Sequence, residues 1–204
     1  MTKYGFRNNS VNTKKLIIKG KMPVQYTIPL TVAESTAGIL SAFDLASNGT
    51  AAISGVAVAA QPPYPMQLKV WAGSAGTAGN TDALRFVGYD AKGEPVSDTC
   101  IVSSTAGAST CTSNAYAKLT SITPNAVSAS ASVGVGYTRV IGLPYPLDNA
   151  GDILSYTYDG AYGTAEVNAL TMDATYDTLT MPTMAADKQV NVLYLSRMQE
   201  LERD

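Results

Sequence analysis

The chain predicts an all-β fold: an antiparallel β-sandwich, jelly-roll-like or Ig-like, carrying an extended N-terminal arm. Three observations predict it. Short β-prone runs with period-2 alternation recur about ten times, Gly, Pro, Asn and Asp fill the spaces between them, and no long amphipathic helical pattern separates them. A parallel α/β fold needs such helices between its strands and is excluded. At 204 residues the chain can bury a proper core, as one domain or as two small ones.

Residues 1–20 are polar, rich in Asn and basic. Lys3, Arg7, Lys14, Lys15, Lys19 and Lys21 are six of the fourteen Lys and Arg residues, and no acid precedes Glu34. This segment reads as an arm, either solvated or laid on an acidic partner surface. Residues 21–195 make the sandwich, and 196–204 a tail or short helix too brief to persist undocked. In the first strand Val24, Tyr26 and Ile28 share one face, Gln25 and Thr27 the other, and Pro29 marks an edge or bulge. From Glu34 to Ala46 the spacing of Ile39, Leu40, Phe43 and Leu45 fits a helical face, so a loop with one or two helical turns is expected there. Gln61-Pro-Pro-Tyr-Pro65 fixes an extended corner. Met66, Leu68 and Val70 then alternate with Gln67, Lys69 and Trp71, which puts Trp71 at the strand's end as a lid on the core or an interface anchor.

The strongest hairpin signal follows a Gly/Ser/Ala/Thr linker. Leu84–Tyr89 and Val96–Val102 flank Asp90-Ala-Lys-Gly93, two β-prone runs around an Asp- and Gly-rich turn. A third strand runs from about Ser109 to Asn114, Ala115–Leu119 crosses over, and Ser121–Ser132 is extended. In Val133-Gly-Val-Gly-Tyr137 the alternate glycines leave room for a close backbone or a large facing side chain. Further strands are read at Asp152–Tyr158, in pieces over Thr164–Thr180, and at Gln189–Leu195, where Val190, Val192 and Tyr194 share a face.

Chemistry is sparse in this pattern. Without a histidine, Ser-His-Asp and Cys-His arrangements are excluded, and a zinc site lacks ligands beyond the two cysteines. No catalytic residue, cofactor or metal site is assigned, and the chain is expected not to be an enzyme. The acids Asp90, Asp148, Asp152, Asp159 and Asp177 fall at turns, where turn chemistry accounts for them. Cys100 and Cys111 flank a Ser/Thr/Ala/Gly turn and would face each other in a hairpin, as a disulfide or as two buried thiols. Tyr64, Tyr145 and Tyr162 lie in or near Pro- and Gly-containing loops and, with Trp71, are the candidate interface aromatics. A net charge of −2 and an isoelectric point near 5.1 give no reason to expect direct contact with nucleic acid. Lys19 and Lys21 interrupt the apolar Leu16-Ile-Ile18, so no secretory leader is expected, and no apolar run reaches the roughly 20 residues of a membrane span. Only 15% of the residues are charged, against about 25% in ordinary domains, so much of the surface is neutral, as suits packing against a neighbour.

Ala83–Thr99, with a strand ending in Gly-Tyr-Asp90 and a turn running on to Gly93, resembles structural proteins of tailed bacteriophage virions. The Ser/Thr/Gly turn, Ala115–Ile122, the Val/Gly-rich strand and Gly142-Leu-Pro144 continue the likeness, which covers residues 64–147. The resemblance implies a capsid decoration (cement) protein on the outer capsid surface, made in the bacterial host cytoplasm. Its partners would be the major capsid protein and itself, in a homotrimer, with Lys3, Arg7, Lys14, Lys15, Lys19 and Lys21 on the capsid-contacting arm. The cysteine pair and the long basic arm depart from the pattern. A tail-tube or neck component is the alternative, and a carbohydrate- or host-binding β-sandwich a second.

Overall fold

Alternation in the sequence becomes alternation in burial. In β1 (Lys21–Ile28) Val24 and Ile28 are buried while Gln25 and Thr27 are exposed, and in β3 (Met66–Ala72) every second residue from Met66 to Ala72 is buried. A computed structural model describes residues 21–44, 60–73, 82–126, 132–159, 161–162, 170–182 and 186–197. The other strands are β2 (Ser35–Asp44), β4 (Ala83–Tyr89), β5 (Pro95–Ile101), β6 (Ser109–Tyr116), β7 (Lys118–Ala126) and β8 (Ser132–Gly142). They are followed by β9 (Ile153–Tyr158), β10 (Ala161–Tyr162), β11 (Thr171–Asp173), β12 (Thr178–Thr180) and β13 (Val190–Arg197).

The fold is the expected all-β sandwich, laid out in three sheets. One sheet has the order β1-β13-β9-β10, a central one β11-β12-β8-β3-β6 with β2 also on β8, and a third β5-β4-β7. All pairings are antiparallel. The central sheet is common to two hydrophobic cores. A first core joins it to the three-stranded sheet through Leu68, Val70, Leu84, Phe86, Tyr116 and Ile122. A second core joins it to the four-stranded sheet through Ile28, Ile141, Leu179, Val190, Val192 and Tyr194. Strand β8 is the seam, with Val133 and Val135 in the first core and Ile141 in the second.

Two expectations are corrected. Residues 35–44 form β2, not a loop with helical turns. Between Ser35↔Tyr137 and Leu40↔Val135, β2 advances five residues while β8 advances two, and this wide bulge breaks the period-2 pattern. It turns Ile39 and Leu40 into the same core, which mimics helical spacing. The backbone of β2 reaches β8 because Gly136 has no side chain: a Cβ there would lie 2.0 Å from the Ser35 carbonyl oxygen. The second correction concerns the C-terminal boundary, since β13 continues through Ser196 to Arg197. The remainder of the expected tail lies outside the described residues, as do the linker at 74–80 and Asn48-Gly49.

The hairpin of β4 and β5 holds from Ala83↔Ile101 to Tyr89↔Pro95. Its turn is set by Asp90, whose Oδ1 accepts from the N–H groups of Lys92 and Glu94, both at 2.9 Å, and by Gly93 at φ +83°. The crossing at Ala115–Leu119 is where the chain leaves the central sheet in β6 and enters the three-stranded sheet in β7. Pro124 pairs with Leu84 from β7, an edge strand, where its missing N–H costs no ladder bond.

Candidate functional site

Of the basic arm residues, Lys3, Arg7, Lys14, Lys15 and Lys19 lie outside the described residues. Lys21 is the first residue of β1, and its Nζ stands 2.5 Å from the buried Asp152 carboxylate, so its charge is committed within the chain. The aromatics do not gather into one site. Tyr64 is half-buried against the second core, and its hydroxyl accepts from the Val32 N–H at 3.3 Å. Trp71 is half-buried on the face of β3 opposite Leu68 and Val70: it pairs with Gly134 on β8, and its Cζ3 is 2.8 Å from where a Cβ on Gly73 would stand. Tyr145 is exposed while its carbonyl accepts from the Tyr194 hydroxyl at 3.2 Å. Tyr162 belongs to β10, and its side chain lies outside the described residues.

Cys100 and Cys111 are free thiols, one buried and one exposed. The expected shared hairpin does not exist, because β5 and β6 belong to different sheets. Cys100 sits in the first core, and burial above all, with the Asp98 charge adding, pushes its pKa up to about 12. Such a thiol is inert at neutral pH. What ties β5 to β6 is Asp98. Its carboxylate accepts from the Ser113 N–H at 3.2 Å, the Asn114 N–H at 3.3 Å, Asn114 Nδ2 at 3.0 Å and the Tyr116 hydroxyl at 2.9 Å. Burial, then the Asp98 charge, raises the Tyr116 pKa, so this phenol remains a donor. The clasp is structural, and it occupies backbone donors that an edge strand would otherwise offer to another chain.

One cleft indents the outer surface of the central sheet. Gln67, Thr112, Val140, Thr178 and Thr180 are among the residues lining it, and Tyr176 stands on the turn between β11 and β12. It encloses about 430 Å³. Its floor is fixed where β6 bulges against β3: Gln67 Nε2 donates to the Thr112 carbonyl at 2.6 Å, Gln67 Oε1 accepts from Thr138 Oγ1 at 3.1 Å, and the Leu68 N–H donates to Thr112 Oγ1 at 3.0 Å. Tyr176 and the threonines carry no local signal of a site in the sequence, because they come from separate strand pieces whose register no local pattern reveals. The nearest to one is the doublet Thr178/Thr180 around buried Leu179, an alternation whose polar face has no assigned surroundings.

Among the described residues no group of His, Cys, Asp or Glu side chains could hold a metal ion, and no helix is long and apolar enough to cross a membrane. No family model, curated protein or solved structure matches the chain.

Proposed function

We propose that the protein is a non-enzymatic virion structural protein that decorates a phage capsid and bridges neighbouring major capsid protein subunits as a homotrimer. The resemblance over residues 64–147 points to this class. The observation that carries the mechanism is how the root of the basic arm is fastened. Strand β1 pairs with β13 over eight consecutive positions, Lys21↔Arg197 to Ile28↔Val190, and the Lys21–Asp152 ion pair locks its first residue. A strap leading into β1 cannot be drawn away without breaking that ladder and opening the second core. Contacts made by Lys3, Arg7, Lys14, Lys15 and Lys19 on an acidic shell would therefore be transmitted to a rigid body. Three such bodies in one trimer would combine weak contacts into a slow-releasing clamp.

The test mixes the purified protein with expanded capsids of its phage. Saturable co-sedimentation, a rise in the temperature at which the shell opens, and a loss of at least about tenfold in affinity on deleting residues 1–20 are expected. The binding should weaken with salt, because exposed charges are screened beyond about 8–10 Å. Failure to bind, or binding that leaves the shell's thermal stability unchanged, overturns the proposal. Hexameric rings or tubes in negative stain, in place of trimers, would favour a tail-tube or neck component.

A further inference from the structure

The cleft on the central sheet has the chemistry of a binding site. Its walls come from β6 and β11, the strands at opposite ends of the sheet's hydrogen-bonded order, so the sheet curls and the cleft is its concavity. Its volume of about 430 Å³ falls in the range of about 300–1,000 Å³ that small-ligand pockets occupy. No Lys or Arg lines it, and one carboxylate, Asp173, does. Lys69, whose charge reaches Cys111 in the lining, is paired with Glu34 at 2.8 Å, so phosphate, sulfate or carboxylate ligands would find no uncommitted countercharge in the lining.

The polar groups divide into two sets. Gln67 and Thr112 are used up in holding the floor. Among the described residues the side-chain hydroxyls of Ser113, Thr171, Thr178, Thr180 and Tyr176 form no hydrogen bond within the chain. Hydroxyls both donate and accept, which matches a ligand whose own polar groups are hydroxyls. Asp173 Oδ1 accepts from the Thr175 N–H at 2.8 Å, which orients the carboxylate and leaves its second oxygen to accept from a ligand hydroxyl. Tyr176 is 42% exposed, and a tyrosine ring can stack on an apolar C–H surface. An extended peptide fits less well: strand addition needs a free backbone edge, and along β6 the N–H groups of Ser113 and Asn114 are taken by Asp98.

We propose that this cleft binds a neutral saccharide, with Tyr176 stacking on a sugar ring and Thr171, Thr178, Thr180, Ser113 and Asp173 bonding its hydroxyls. The site is independent of the capsid reading, whose contacts are assigned to the arm. The experiment presents the full-length protein to an array of neutral and anionic glycans. Saturation-transfer NMR and titration with the best neutral oligosaccharide follow. Binding with Kd at or below about 1 mM, equivalent to about −4 kcal/mol, is expected. Tyr176→Ala should weaken it at least about tenfold and Thr180→Val severalfold, while Tyr89→Ala, an exposed tyrosine on β4, leaves it unchanged. Circular dichroism and melting of each variant separate loss of the site from loss of the fold. The proposal is overturned if no neutral glycan binds at that concentration, if Tyr176→Ala and Thr180→Val bind as the parent does, or if the cleft takes only anionic glycans or an extended peptide.

Discussion

The two cores share one sheet but draw on the chain in opposite ways. The first is assembled from residues 39–135, much of it a local hairpin and its continuation. The second joins residues 24 and 28 to residues between 141 and 194, and the side-chain bond from Thr27 to Asn191 closes a separation of 164 residues. Loop closure on that scale costs roughly 4–5 kcal/mol from its length alone, taking (3/2)RT ln n. Core size therefore does not measure how readily a core forms. The first can condense early from neighbouring contacts, and the second must wait until the chain's distant strands meet.

The largest expected effect comes from matched truncations. Leu84 in the first core and Ile28 in the second are both essentially inaccessible to solvent. Each should lose about 2–5 kcal/mol on replacement by Ala. The difference lies in what opens. Leu84→Ala should weaken the whole protein in a single transition. Ile28→Ala should release the β1–β13 ladder first, so that amides of β1, β13 and β9 exchange while those of β4 and β5 stay protected. Denaturant melts with hydrogen exchange read both outcomes, and a single transition with uniform protection in Ile28→Ala would show that the two cores are one cooperative unit.

The same contrast explains which elements are legible in the sequence. Strands β1, β3, β4, β5 and β13 were legible because their alternation and turn residues are local: Asp90 and Gly93 announce the β4–β5 turn by chemistry that needs no partner. The β2 bulge was not legible, since Ile39 and Leu40 enter one core only where Gly134 and Gly136 of a distant strand let the backbone in. The hairpin expected to set Cys100 opposite Cys111 does not form, for a related reason. Their spacing is that of a hairpin, but β5 and β6 pair within different sheets, and a sheet change leaves no mark on local periodicity. The cleft was hidden likewise, being made by the curl that brings β6 and β11 to one space.

Alkaline pH should act on the buried thiols before the buried phenols, and the first core holds both, since burial raises Tyr116 as well. In the first, Cys100 is pushed up to about 12 from 9.0, mainly by burial. In the second, Tyr26 is pushed up to about 12 from 10.0, burial leading and the Tyr64 charge adding, and burial also raises Tyr194. Between the unfolded and folded values the folded state holds more protons, so stability falls as pH rises, by up to about 1.4 kcal/mol per unit for each group. Cys100 starts its loss near pH 9 and the phenols near pH 10. Unfolding free energies measured from pH 7 to 10.5 should be flat up to about 8.5 and then decline in two stages. Burial also raises Cys111 from 9.0, so Cys100→Ala should shrink the first stage and Cys100→Ala with Cys111→Ser should remove it, and an unchanged onset in the double variant would mean that the thiols do not carry it.

The smallest effect concerns the contact that bridges the two regions. Lys92, in the β4–β5 turn, places Nζ 2.5 Å from Asp177 of the β11–β12 turn, with side chains 23% and 14% exposed. Burial alone would lower the Lys92 pKa, but the Asp177 bond and the charges of Asp177, Asp90 and Glu94 outweigh it and raise the value. The pair's contribution is thus complete below the ordinary lysine value of about 10.5 and is lost as pH climbs through the folded one. Asp177 has φ +48°, and the Leu143 N–H donates to its carbonyl at 2.9 Å, so Asp177→Asn is the partner change that best keeps the turn. A double-mutant cycle of Lys92→Met and Asp177→Asn should give a coupling of about 0.5–1 kcal/mol, reduced in about 1 M salt. Repeating the cycle in the Ile28→Ala background decides what the pair does. If it fastens one core to the other, its removal there should widen the gap between the two transitions. A gap that stays the same would make it an ordinary surface ion pair.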